Sequence, residues 1–238
     1  MCGRFNLRTN PATLVQLFLP QMDVGDVPPL PPRYNIAPTQ QILAVTGDDA
    51  EHRSLRFFRW GLVPPWADSL SIGARMINAR SETVAEKRSF RGPFASRRCL
   101  IPASGYYEWQ ASDNGGKQPI HIHRDDDGLL AMAGLWEENR KASADGAPVF
   151  SCTVLTTSAN EKTAPVHDRM PVFLEGAGVD AWMDPDASSE QLQDLCRPLA
   201  DERLECTPVS PKVNRAGYDD PQCIVPIKIA TQRNLFDT

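Results

Sequence analysis

Residues 99–109 read CLIPASGYYEW. The apolar run Cys99–Ala103, the small pair Ser104-Gly105 and the aromatic run Tyr106–Trp109 form two short strands separated by a break. Further strand-like runs lie on both sides: Ile42–Thr46 and Leu55–Trp60 upstream, and Ile120–Arg124, Leu129–Trp136 and Val149–Thr156 downstream. Asp125-Asp126-Asp127-Gly128 reads as a hairpin turn, Asn139–Pro148 as a polar loop, and Cys223–Ile229 as a closing strand. Helical signals are few and short. Asn10-Pro11 before Leu14, Leu17 and Phe18 marks an amphipathic helix, Thr83-x-x-Glu86 predicts one over about residues 82–90, and Ser188-x-x-Gln191 caps another. Four prolines between Pro28 and Pro32 force an extended loop. With no internal repeat and no linker, the pattern predicts an α+β fold. It is a single compact domain around a mixed, barrel-like β-sheet with peripheral short helices.

Composition agrees. The chain has 238 residues, 41% hydrophobic and 23% charged, which excludes wholesale disorder, collagen-like repeats and coiled coil. Its 21 prolines imply many shaped loops. No apolar run approaches a membrane span, and the opening MCGRFNLRTN has no apolar signal region, so a soluble cytoplasmic protein with no membrane association is expected. The six cysteines form no CxxC pair, so neither a zinc site nor a disulfide framework is signalled; Cys99 and Cys152 read as core thiols. No metal or cofactor is expected. The net charge of −5 argues against a uniformly basic nucleic-acid binder. Charge is uneven, however: residues 53–98 carry ten Arg/Lys against three Asp/Glu, and residues 175–205 carry two against nine.

Several residues have chemistry worth weighing. Removal of Met1 would leave Cys2 with a free α-amine (pKa about 7.7–8.0) beside its thiol (about 8.5), two nucleophiles on one residue. An aldehyde meeting such a 1,2-aminothiol forms a Schiff base that the sulfur closes to a thiazolidine. Taken alone, a cysteine at this position more often has no role. Glu108 lies among aromatics, where burial suits a general acid or base, although a glutamate reaching water is an equal reading. His167 sits between Pro165 and Pro171 in a stiffened loop, and Asn78 is a polar amide amid apolar neighbours. His121 and His123 share a strand face; without a third ligand, a solvated face is the better reading than a metal site. Trp60 to Trp66 reads as a rigid, core-anchored loop with an aromatic edge that offers stacking to bases.

Together the blocks Cys2–Phe5, Tyr34–Thr39, Trp60–Trp66, Ile77–Thr83, Arg97–Pro102, Gly105–Trp109 and His167–Pro171 resemble the SOS-response-associated peptidase (SRAP) family, in order and spacing, from residue 2 to about 227. The resemblance implies an SRAP domain over residues 2–227 and a C-terminal tail at 228–238. It implies an abasic site processing protein of the DNA-damage response that captures abasic sites in single-stranded DNA. Carried over, Cys2 is the nucleophile, Asn78 a positioner, and Glu108 and His167 the acid/base pair, with a weak lyase side activity. Arg4, Asn35, Pro38, Trp66, Arg80 and Arg169 match DNA-contacting positions. Ser104 departs from the acidic residue that many members carry there. Single-stranded DNA is the implied partner and a monomer the expected state. One alternative is a thiol peptidase or amidase with Cys2 as nucleophile, including processing of its own N-terminus. Another is a non-enzymatic single-strand-binding module.

Overall fold

The computed structural model describes residues 2–47, 52–112 and 115–228. The strands are, in order, β1 (Phe5–Leu7), β2 (Arg33–Ile36), β3 (Gln41–Thr46), β4 (Ser54–Trp60), β5 (Asn78–Arg80), β6 (Arg98–Ala103), β7 (Gly105–Ala111), β8 (Lys117–Arg124), β9 (Leu130–Asn139), β10 (Val149–Ser158), β11 (Arg169–Pro171), β12 (Phe173–Leu174) and β13 (Leu204–Pro208). Four short helices, α1 (Pro11–Phe18), α2 (Arg91–Ser96), α3 (Ala177–Met183) and α4 (Ser189–Asp194), lie around them.

Five strands close on themselves. β10 pairs with β4 in parallel, and β4–β3, β3–β6, β6–β9 and β9–β10 pair antiparallel, which returns the ring to β10. This mixed barrel explains the near-continuous apolar runs of β3, β6, β9 and β10, which are buried along most of their length, whereas β4 leaves Phe57 55% exposed. Cys99 and Cys152 are fully buried free thiols, as expected. Gly134 is what lets β9 approach β6: a Cβ there would lie 2.8 Å from Cys99 Sγ and Ile101 Cδ1.

β10 is longer than its role as a stave requires. Beyond the residues that meet β4, its Val154–Thr156 pair in parallel with β5, and its Thr156–Ser158 pair antiparallel with β11. A second, wholly antiparallel sheet runs β13-β8-β7-β1-β2. It packs on the barrel at Phe5, whose ring meets Trp60 edge-on with centroids 5.2 Å apart. The Asp125–Gly128 turn forms, with Asp127 at φ 55°, but it is no hairpin. It carries the chain from β8 in the open sheet to β9 in the barrel.

The capping signals are met at α1, where Asn10 accepts from Thr13 N, and at α4, where Ser188 and Gln191 form a complete capping box. The helix predicted over 82–90 is absent. A 3-10 turn at Ser81–Thr83 leads into further turns, and α2 starts only at Arg91, with Pro93 in its first turn where a missing N–H costs nothing. The Glu86 that signalled the capping box is exposed, and the preceding residues are already tied to β10. The strand predicted at Cys223–Ile229 is also absent: Pro221–Cys223 is a 3-10 turn, and Pro226 makes an isolated bridge to Val209. Ile229 and the tail beyond Lys228 lie outside the described residues. Among the described residues no helix is long and apolar enough to cross a membrane.

Candidate active site

β1 runs antiparallel to β7 with Phe5 opposite Tyr106, and Tyr107 N donates to Arg4 O at 2.9 Å, so the N-terminal residues run back along β7. Cys2 ends there fully buried, its Sγ donating weakly to Arg4 O at 3.8 Å. Burial, and then the nearby Glu108 carboxylate, push its thiol well above the ordinary range.

Asn78 reaches Cys2 from the barrel side. Trp60 Nε1 donates to Ile77 O at 2.9 Å and Val154 N to the same oxygen at 3.1 Å, which fixes the backbone just before β5. From that position Asn78 Nδ2 donates to Cys2 O at 2.8 Å, while its Oδ1 is buried with no hydrogen-bond partner among the described residues.

Glu108, only 3% exposed, projects from the same face of β7 as Tyr106. The Tyr106 hydroxyl is also buried without a partner among the described residues. Its ionisation is pushed up by burial first and then by Cys2 and Glu108, which places the three groups in one electrostatic neighbourhood.

His167 comes from the loop that precedes β11. Val166 N and His167 N both donate to Thr163 O, and Gln110 Nε2 donates to Pro165 O at 3.2 Å, docking this loop on the end of β7. The imidazole Nδ1 faces the Arg169 backbone N–H at 3.0 Å and the Asp168 carboxylate at 2.8 Å. The neutral ring accepts from the first; the imidazolium donates to the second.

The residues matched to DNA contacts divide. Arg80 and Trp66 are exposed, the latter with the Arg88 guanidinium 5.1 Å from its ring centre. Pro38 sits in a turn where Thr39 has φ 73° and donates its N–H to Trp60 O. Arg4 instead donates to Asn35 Oδ1 at 2.7 Å and Val213 O at 2.8 Å. Asn35 is fully buried, and its Nδ2 faces the carbonyls of Val213, Arg215 and Tyr218. These two build the loop at 213–218. Arg169 donates to Glu82 through both Nη atoms.

The basic stretch 53–98 does not form one surface. Arg98 is buried, donating to four backbone carbonyls, and Arg53 pairs with Asp180. Arg56 lies over the Phe150 ring at 4.4 Å, whereas Arg75, Arg80, Arg88 and Arg91 stay exposed. The Trp60–Trp66 loop is core-anchored as expected, with Trp60, Leu62 and Val63 fully buried. His121 and His123 do stack on one face, 4.9 Å apart, but the face is not solvated. His121 is buried against the Tyr107 ring, 5.1 Å between centres, and accepts from Asn6 Nδ2 at 2.7 Å. Ser104 bonds both backbone groups of Arg8, which ties the end of β1 to the start of β7. Among the described residues no group of three or more His, Cys, Asp or Glu is placed to hold a metal ion.

A sequence profile described as SOS response associated peptidase (SRAP) matches residues 1–216. The chain belongs to the SRAP family. It is 39% identical over 230 residues to the abasic site processing protein YoqW of Bacillus subtilis, covering 94% of this chain and 99% of that one. It is 33% identical over 217 residues to the abasic site processing protein HMCES of Gallus gallus, covering 80% of this chain and 62% of that one. Among solved structures, a phage-related protein from Bordetella bronchiseptica is similar, with a TM-score of 0.70 at 30% identity, covering 87% of this chain and 94% of that one. In this SRAP chain, sequence reasoning passed over Tyr106 and Glu82. Both lie inside blocks that carried the resemblance, but an aromatic on a strand and an acid at a helix start look structural until their partners are seen.

Proposed function

We propose that this protein captures abasic sites in single-stranded DNA as a covalent thiazolidine on Cys2, and so processes the lesion as part of DNA repair. The observation that carries this reading is the buried Cys2, held through its carbonyl by Asn78 and set beside Glu108. The name shared by the relatives in Bacillus subtilis and Gallus gallus, abasic site processing protein, supports the substrate class.

The chemistry follows from the groups present. An abasic deoxyribose rests as a closed hemiacetal. Glu108 takes the proton of the C1′ hydroxyl while the C1′–O4′ bond breaks, and His167 protonates O4′, leaving an aldehyde. With Met1 removed, the neutral Cys2 amine adds to C1′, and loss of water gives the imine. The thiol then adds across C=N: sulfur bonds to C1′ and the nitrogen gains the proton. If that closure fails, the imine acidifies the C2′ hydrogen and β-elimination of the 3′ phosphate breaks the strand, which makes a lyase the side reaction. Burial that holds the thiol high leaves little resting thiolate, which favours attack by the amine first and weighs against a thiol peptidase. Arg80 and Trp66, both exposed, fit a strand's phosphates and bases.

The test is an oligonucleotide with one abasic site. Wild-type protein, shown by mass spectrometry to lack Met1, should give an adduct that survives heating without reductant. A tag ahead of Cys2 turns the amine into an amide and should abolish the adduct although the thiol remains. Cys2→Ser keeps an amine but weakens ring closure, so borohydride should trap an imine and strand cleavage should rise. Retained reactivity in the tagged protein, with nothing trappable from Cys2→Ser, would establish a thiol nucleophile instead. Affinity for the strand should fall as salt rises.

A further inference from the structure

Asn78 and His167 come from segments on opposite edges of one strand. β5 joins β10 in parallel, with Arg80 opposite Thr156, and β11 joins it antiparallel, with Arg169 opposite Ser158. Each flanking strand has three residues, too few to fix its own position by backbone pairing alone. One side-chain contact spans the two edges. Arg169 Nη1 donates to Glu82 Oε1 at 2.5 Å and Nη2 to Glu82 Oε2 at 2.9 Å, the paired-fork geometry that fixes direction as well as distance. The same Nη2 donates to Thr156 O at 2.6 Å, pinning the pair to the strand between. The Arg169 side chain is 12% exposed and the Glu82 side chain 51%, so it is the two-pronged geometry and the Thr156 contact, more than burial, that separate this bridge from loose surface pairs. On its main-chain side, the Arg169 N–H donates to His167 Nδ1 at 3.0 Å.

We propose that Glu82 is a positioning residue for His167: by holding the Arg169 fork, it fixes residues 167–169 against the Asn78–Arg80 strand. This rests on the reading of His167 as an acid/base group. The imidazole and the amide that holds Cys2 then keep one relative geometry across β10. Arg169 is a brace first. Both Nη atoms make contacts within the protein, and those contacts are the brace.

Single-turnover cross-linking at saturating abasic oligonucleotide tests this, with DNA affinity measured separately. Glu82→Gln should slow cross-linking roughly 10- to 100-fold, the scale of a displaced acid/base group, while the oligonucleotide Kd stays within about threefold. Glu82→Asp should recover part of the rate, and the loss in Glu82→Gln should fall on the single-turnover rate and not on the half-saturating oligonucleotide concentration. Arg169→Lys decides between brace and phosphate ligand. It keeps the charge but loses the fork, so it should fall as far as Glu82→Gln, whereas a phosphate ligand would be largely preserved. Arg169→Lys carries the test alone if Glu82→Gln does not fold. Wild-type rates in either variant, no recovery in Glu82→Asp, or parallel loss of rate and affinity would overturn the proposal. A wild-type protein that forms no adduct would overturn the functional reading itself, a separate outcome.

Discussion

On one face of β7, Tyr107 OH donates to Tyr34 O at 2.6 Å and Trp109 Nε1 to Asn214 Oδ1 at 2.7 Å, while on the other the Tyr106 hydroxyl is buried with no partner among the described residues. The contrast extends to their neighbours. Arg4 and Asn35, on the Tyr107 side, spend their donors on carbonyls of the 213–218 loop; Asn78, on the Tyr106 side, keeps a buried Oδ1 unused. An unsatisfied buried polar atom costs about 1–3 kcal/mol, so a native interior retains such atoms sparingly. The difference separates a face whose polar groups are spent on the 213–218 loop from the face on which the proposed capture is placed.

Glu108→Gln should produce the largest effect and confine it to chemistry. Single-turnover cross-linking is expected to fall by about 10²- to 10⁴-fold, the usual share of a general acid or base. DNA affinity and thermal midpoint should hold; parallel loss of affinity would move Glu108 to the shape-setting side. Asn35→Ala probes that side directly. It strips partners from three carbonyls and from Arg4, and urea unfolding should show a loss of about 3 kcal/mol. Its cross-linking rate per folded molecule should stay near wild type, and a selective loss of rate would erase the distinction.

The same face carries an acid dependence. Burial, with His123 beside it, lowers His121 from its ordinary 6.5 to about 3. Between those values the unfolded chain binds the extra proton and the folded chain does not. The stability His121 contributes is therefore complete above about pH 6.5 and is lost toward pH 3, at about 1.4 kcal/mol per pH unit. Urea titrations at pH 7 and pH 5 should differ by about 2 kcal/mol more in wild type than in His121→Gln; equal differences would mean the ring is protonated in place. Tyr106→Phe should show the smallest effect, a gain of up to about 1 kcal/mol from removing the unpartnered hydroxyl. A loss of stability would show that the hydroxyl is already satisfied and would blunt the comparison.

The long strands were legible because Val149–Thr156 and its counterparts repeat apolar residues over five or more positions. β1, β5, β11 and β12, of two or three residues, leave no period to read, and the first three of them position Cys2, Asn78 and Arg169. Thr83-x-x-Glu86 misled because a local capping pattern lost to β10 pairing and to the Glu82–Arg169 fork. His121-x-His123 was correctly placed on one face, but the amide that satisfies the buried His121 is that of Asn6, more than a hundred residues away. Candidate residues at Cys2, Asn78, Glu108 and His167 were visible through their motifs. The internal hydrogen bonds of Arg4, Asn35 and Arg169 were not, because a guanidinium or an amide reads alike whether its partner is a phosphate, a carboxylate or a carbonyl.

The pairing of β1 with β7 also has a history within each molecule's synthesis. Cys2 cannot be enclosed until Tyr106 and its neighbours exist, and they are made about a hundred residues later. At roughly 5–20 residues per second, the nascent N-terminus stands open for about 5–20 seconds. The Cys2 amine that the proposed capture needs is open to processing in that interval. Once β1 and β7 pair, Cys2 is fully buried, so an alkylating reagent should label its thiol faster in the denatured protein than in the native one. Access to Cys2 is a matter of timing, set by how far apart the two strands lie along the chain.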